Sequence, residues 1–188
     1  MTNDDSLPGG RMGMTANGRP DAPWAVLDVP RGFETIDGWV IFDPRPEGGG
    51  GVGYWTISEV VRDPCGDPEP MPAGSTAEEV VASFGKQRLT RVTKAVAVSV
   101  DGHDGLSIDL AVPDDVDFAL CPHFSLWESD PAGSRYMQST GAFDRLWILD
   151  VDGEVVVLTV VADDRMPASE VARLTAMVEA AQFVPRVE

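Results

Sequence analysis

Two cysteines and two histidines are scarce side chains in this sequence that could do chemistry. Cys65 lies in "RDPCGD" and Cys121 in "ALCPHF", and His103 and His123 complete the set. A thiol acts as a nucleophile only as a thiolate, beside a base and in an electropositive setting. Neither histidine stands in a recognisable cysteine-nucleophile context, and acidic surroundings disfavour the thiolate. A zinc site needs clustered ligands such as C-x-x-C, and none is present. Two readings of the pair stay open: a crosslink between irregular, proline-flanked segments, or two separate reduced thiols. A crosslink would stabilise the chain by roughly 4 kcal/mol through loop closure.

The carboxylates offer three candidate clusters. Asp101 and Asp104 flank His103 in a glycine-bounded turn, and Asp114, Asp115 and Asp117 follow Pro113. Neither matches the calcium-loop pattern D-x-D-x-D-G with a later glutamate, so solvated turns are expected. Asp150 is different, because it stands on an apolar strand and a buried carboxylate must be paired. Arg135 and Arg145 are its candidate partners, and Glu59 with Arg62 forms a second candidate pair, which together predict a structural ion-pair network. The run "GGGGVG" is similar to a phosphate loop, but it lacks the Lys-Ser/Thr continuation and precedes a strand. No G-x-S-x-G or H-E-x-x-H motif occurs. The sequence therefore assigns no catalytic, cofactor-binding or metal-ligating residue. Among five tryptophans, Trp55 and Trp127 stand in the least regular contexts and are the candidates for lining a ligand groove.

Composition narrows the partners. With 188 residues, 43% of them hydrophobic, the chain can bury a sizeable core. Its formal net charge of −17 repels phosphate backbones and anionic lipid surfaces, so a nucleic-acid role is not expected. No run of 18 apolar residues is present, so no membrane insertion is expected. The partner is an unidentified small molecule or protein.

The elements that must position these side chains follow from periodicity. Residues 1–22 lack it and read as a disordered tail or linker, without the apolar core of a secretory signal. Short β-prone runs cover residues 24–30, 35–44 and 54–61, while residues 44–53 (four glycines) and 62–74 (prolines) read as irregular. Ser75 and Glu78 have capping-box spacing and start a short helix. Residues 94–113 alternate with period two on either side of a turn at Asp101–Gly105. Residues 142–162 form a second hairpin about Asp152-Gly153, so apolar that it belongs at the sheet centre with both faces covered by helices. An amphipathic helix covers residues 168–183. The expected fold is α+β: one domain over residues 23–186, an antiparallel sheet with two main helices packed on it. Fold analogy points to the PsbP/Mog1 type.

The strings "GYWTISEVVRDPC", "VDGHDGLSIDLAVPDDVDFALC", "LWESDPAGSRYMQ" and "DRLWILDVDGEVVVL" resemble an uncharacterised extracytoplasmic domain of actinobacterial envelope and lipoprotein-associated proteins. The resemblance spans about residues 33–184. It implies a Cys65–Cys121 disulfide and an extracytoplasmic or cell-envelope location, whereas a native N-terminus as printed implies the cytoplasm. It implies no catalytic residues. The leading expectation is a non-enzymatic ligand-binding, protein-interaction or sensor module. The alternatives are a cytoplasmic interaction protein with free thiols and a small hydrolase with an acidic site.

Overall fold

Side chains alternate across a pleated strand, so a strand that is apolar at every position needs cover on both faces. The computed structural model describes residues 7–45, 50–66, 69–121, 123–129, 133–163 and 165–184. Its strands run in chain order as β1 (Gly10–Thr15), β2 (Trp24–Val29), β3 (Glu34–Ile36), β4 (Val40–Phe42), β5 (Gly51–Trp55), β6 (Glu59–Val61) and β7 (Pro70–Pro72). Helix α1 (Ala77–Phe84) follows, then β8 (Arg91–Val92), β9 (Val96–Val100), β10 (His103–Ala111), β11 (Phe124–Ser129) and β12 (Gly133–Met137). The long hairpin is β13 (Phe143–Val151) and β14 (Glu154–Ala162), and the chain continues through α2 (Ala168–Glu179) to β15 (Gln182–Val184).

The expected α+β fold, one sheet carrying two main helices, is overturned. The protein is mostly β, with three antiparallel sheets and two short helices among the described residues. The largest sheet runs β3-β4-β5-β14-β13-β10-β8, with β9 also paired to β10. A second runs β1-β2-β15 and a third β12-β11-β6-β7. The long hairpin does lie in the middle of the large sheet. Its cover, however, is mostly other sheet. One core joins Trp147, Leu149, Val151, Val156, Leu158 and Val160 to residues of β1, β2 and α2. The other joins Leu146, Ile148 and Val157 to residues of the third sheet and α1.

The extra strands come from segments that looked irregular. Residues 10–15, expected in a disordered tail, pair with β2 along six residues and bury Met14. The 3-10 turn after them holds Asn17 at φ 51°, a left-handed conformation that asparagine tolerates. Its Nδ2 donates to Thr56 O at 2.7 Å and Thr56 Oγ1 at 2.8 Å, and its Oδ1 accepts from Thr56 N–H at 3.1 Å. The buried amide thus ties the N-terminal segment to the exit of β5. Two prolines flank Met71 in β7, which is a sheet edge, where a missing N–H costs no ladder bond. Gly51 and Gly53, expected in a loop, are strand residues with β14 on one side and β4 on the other.

Local signals place α1 within a residue. The cap is Thr76 rather than Ser75: its Oγ1 accepts from Glu79 N–H at 3.2 Å, while Glu79 Oε2 accepts from Ser75 N–H at 2.7 Å. The turn of the β9–β10 hairpin is shorter than expected. It contains Asp101 (φ 51°) and Gly102 (φ 83°) alone, and His103 to Gly105 belong to β10.

Cys65 and Cys121 are bonded, with Sγ–Sγ 2.06 Å, Cα–Cα 4.9 Å and a sequence separation of 56, and no free cysteine remains. The bond links the turn after β6 to the segment before β11. Reduction should lower stability by about 4 kcal/mol, the loop-closure value for a ring of this size, read as a shift in the urea midpoint with and without reductant. Asn17→Ala should cost about 1–3 kcal/mol in the same measurement, because it removes all three hydrogen bonds that tie this buried side chain to Thr56.

Candidate functional site

The face of β14 that carries Val157 into the second core continues through Thr159 and Val161. The third sheet does not roof that continuation. The neighbouring strand offers Gly53 opposite Thr159 and Gly51 opposite Val161, so the floor there has no side chains. Space enforces the glycines. A Cβ on Gly53 would lie 2.4 Å from Trp55 Nε1 and 2.8 Å from Thr159 Oγ1, and one on Gly51 would lie 2.5 Å from Ile41 O.

The result is an open groove of about 390 Å³. Trp55 leans back over Gly53, and its Nε1–H donates to Thr159 Oγ1 at 3.2 Å. Trp39 packs edge-on against Trp55 with ring centroids 4.5 Å apart. Val40 and Phe42 of β4 extend this wall, and Ile36 and Tyr136, both largely exposed, form its rim. The volume lies within the range of about 300–1,000 Å³ usual for small-molecule sites. At about 30 Å³ per heavy atom, the volume of a liquid water, it holds roughly a dozen.

The opposite wall is β12, and one ion pair holds it in place. Arg135 Nε donates to Asp144 Oδ2 at 2.8 Å and Nη2 to Oδ1 at 2.6 Å, a two-pronged contact. Asp144 is fully buried and stands opposite Val161 in the β13–β14 register. A third N–H of Arg135 donates to the carbonyl of Tyr136. A guanidinium has five N–H donors, so these contacts leave two of them, and Arg135 and Gln138 both line the groove. The arrangement fits an apolar body with a hydrogen-bond-accepting atom at one end.

The expected site residues are thus split. Trp55 lines the groove. Trp127 does not: it is fully buried and packs edge-on against Trp55 at 5.5 Å and Phe84 at 5.8 Å, supporting the groove wall from behind. The expected network of Glu59, Arg62, Arg135, Arg145 and Asp150 does not form. Asp150 is exposed and accepts from Gly153 N–H in its own turn. Arg135 pairs with Asp144, Arg145 with Asp109 at 2.7 Å, and Arg62 with Glu69 at 3.4 Å, while Glu59 is exposed on β6. Trp39 and the glycine floor were missed. Their signal is the spacing Gly51, Gly53, Trp55, which puts two bare positions and one large ring on a single strand face.

The acidic clusters build turns. Asp114 pairs with Arg91, and Asp117 accepts from Ala119 N–H. Among the described residues no group of three or more His, Cys, Asp or Glu side chains converges as metal ligands would. A second cleft, of about 440 Å³, is crossed by ion pairs of Arg45 and Arg173 with Asp43 and Glu170. The Arg45 contact holds the Asp43 carboxyl below its ordinary range, and the Arg173 contact does the same for Glu170. Arg45 and Arg173 are therefore already committed, and Arg31 is the third cation of the cleft's lining.

No family model matches the sequence, and no curated protein matches it. Among solved structures the chain is similar to LpqN of Mycobacterium tuberculosis, a protein described as involved in cell envelope biogenesis. The two share 12% identity over 95% of this chain and 93% of that one, with a TM-score of 0.43. A likeness at that level assigns this chain neither fold nor activity.

The ion pair makes a discriminating test of the groove wall. Arg135→Met should cost about 3–5 kcal/mol by leaving a carboxylate buried alone, whereas Arg135→Met with Asp144→Leu should recover most of that loss. Urea unfolding of both variants checks it.

Proposed function

We propose that the protein is a non-catalytic, extracytoplasmic binding module whose ligand lies in the groove between Trp39, Trp55 and β12. The observation that carries this reading is the glycine floor at Gly51 and Gly53. A strand with no side chains at two successive positions on one face lets its neighbours approach closely: the Trp55 indole folds back over Gly53 and β4 lies close against Gly51, and the groove opens beyond them between Trp39, Val40, Phe42 and β12. The ligand class is a small, mostly apolar molecule with one accepting oxygen, of about a dozen heavy atoms.

The compartment is inferred from sulfur. Structural disulfides persist in oxidising surroundings and are rare in the reducing cytosol, and the Cys65–Cys121 bond leaves no thiol free. That favours the extracytoplasmic reading over a cytoplasmic protein with free thiols. No helix among the described residues is long and apolar enough to cross a membrane. The absence of a motif for hydrolysis leaves the acidic-site enzyme without support from any residue described above.

The test uses 1-naphthol, a two-ring aromatic carrying one oxygen, as the probe. Titration into the folded protein should quench tryptophan emission and saturate at one equivalent. Val40→Trp, which fills the groove from its wall, should weaken that binding by about tenfold or more, equivalent to about 1.4 kcal/mol. Equal binding by the folded variant would place the probe elsewhere and remove the groove from consideration.

A further inference from the structure

An exposed strand edge offers unpaired N–H and C=O groups to any other extended chain, and natural proteins usually guard it. Three other edges of this structure are guarded. Proline occupies β7 at Pro70 and Pro72. The Tyr136 carbonyl of β12 is taken by the Arg135 side chain. On β15, Phe183 N–H donates to the Asp101 carboxylate at 2.8 Å. Strand β9 is not guarded. Its sequence, "VAVSV", has no charge, no proline and no glycine, and it pairs with β10 alone.

The hairpin register shows which groups are free. Val100 faces His103 across the two-residue turn of Asp101 and Gly102, both at positive φ. The pair that closes such a turn exchanges both of its hydrogen bonds, and hydrogen-bonded pairs then recur at every second residue. Val96, Val98 and Val100 therefore direct their backbone groups at β10. Ala97 and Ser99 direct theirs away from the sheet, and both residues are exposed.

The space beside this edge is shaped for side chains. A cleft of about 270 Å³ lies between β9 and α2, lined by Val96, Val98, Trp147, Thr175 and Glu179 among others. Val96 is 62% exposed there. The Thr175 Oγ1 atom is buried and has no hydrogen-bond partner among the described residues. Charge selects the visitor. The chain carries −17 overall; Asp101 and Asp104 stand at the turn, and the cleft holds Asp109 and Glu179 with Lys94 and Arg145, of which Arg145 is paired with Asp109 at 2.7 Å. A second copy would bring the same charge against itself, whereas a basic segment would be drawn in.

We propose that the free edge of β9 is a docking site for an extended, basic segment of a partner protein. The segment adds a strand against Ala97 and Ser99 and lowers alternate apolar side chains into the cleft beside α2. Strand addition of this kind takes affinity from main-chain hydrogen bonds and selectivity from side-chain pockets. The site is separate from the tryptophan groove and does not depend on its occupant.

The probe is a fluorescein-labelled nonapeptide alternating lysine and valine, with a version carrying a central proline as control. The expected result is saturable binding, with slowed hydrogen exchange at the amides of Ala97 and Ser99. Ser99→Pro removes an outward N–H and no ladder bond, so the variant should stay folded by circular dichroism and bind about tenfold or more weakly, about 1.4 kcal/mol. Val40→Trp should bind the peptide as the parent does. The proposal is overturned by unchanged affinity in folded Ser99→Pro, by peptide binding without protection at Ala97 and Ser99, or by no binding at all. Sedimentation showing two copies paired through β9 would overturn it equally. Should Ser99→Pro fail to fold, the exchange pattern of the parent and the proline peptide decide the outcome.

Discussion

Burial on both faces of the β13–β14 hairpin is the constraint on which the rest depends. Most positions of the two strands are apolar and both faces carry them, so each face must be covered, and the chain supplies two different covers. Two polar side chains on this hairpin are wholly enclosed, Asp144 and Thr159. Each holds one wall of the groove. Asp144 receives Arg135 and fixes β12, and Thr159 receives the indole N–H of Trp55. The enclosed polar side chains of this hairpin are therefore the anchors of the groove.

Energetics sharpen the point. An enclosed carboxylate–guanidinium pair gains little over well-packed hydrocarbon, because both ions lose their hydration. The pair between Arg135 and Asp144 is thus a weak source of stability. Its geometric effect is definite: two parallel hydrogen bonds set both the distance and the orientation of an edge strand that otherwise touches the large sheet only through side chains. The same guanidinium covers the Tyr136 carbonyl, so one residue sets the groove wall and guards a sheet edge.

The parts of this structure that were legible in the sequence are those specified locally. Asp152-Gly153 between two apolar runs marks the central hairpin, and alternation from Val96 to Val112 marks its neighbour, because turn chemistry and period two act within a few residues. The start of α1 is legible to within a residue for the same reason. The third sheet was not legible. Its strands are short, several are flanked by proline, and their pairings join residues far apart, such as Trp127 with Val60. Residues 10–15 were misjudged because glycine and methionine give little periodic signal, although β2 and Asn17 hold them firmly in place. Asp150 has apolar neighbours in the sequence, yet near the end of β13 it stands in solvent. The carboxylate that needed a partner was Asp144, six residues earlier in the sequence. Trp127 shows the limit of reading context from sequence: its irregular surroundings lie in a bulged strand whose inner face is core.

The bond between Cys65 and Cys121 has a topological consequence. It closes a ring that contains β7, α1 and the whole β8–β10 run, and the exposed Asp114–Asp115 turn lies on that ring. A peptidase that severs the backbone at this turn makes two polypeptides but frees neither, since sulfur still tethers them and β10 still lies between β9 and β13. Damage at this exposed acidic turn is thereby converted from fragmentation into a nick.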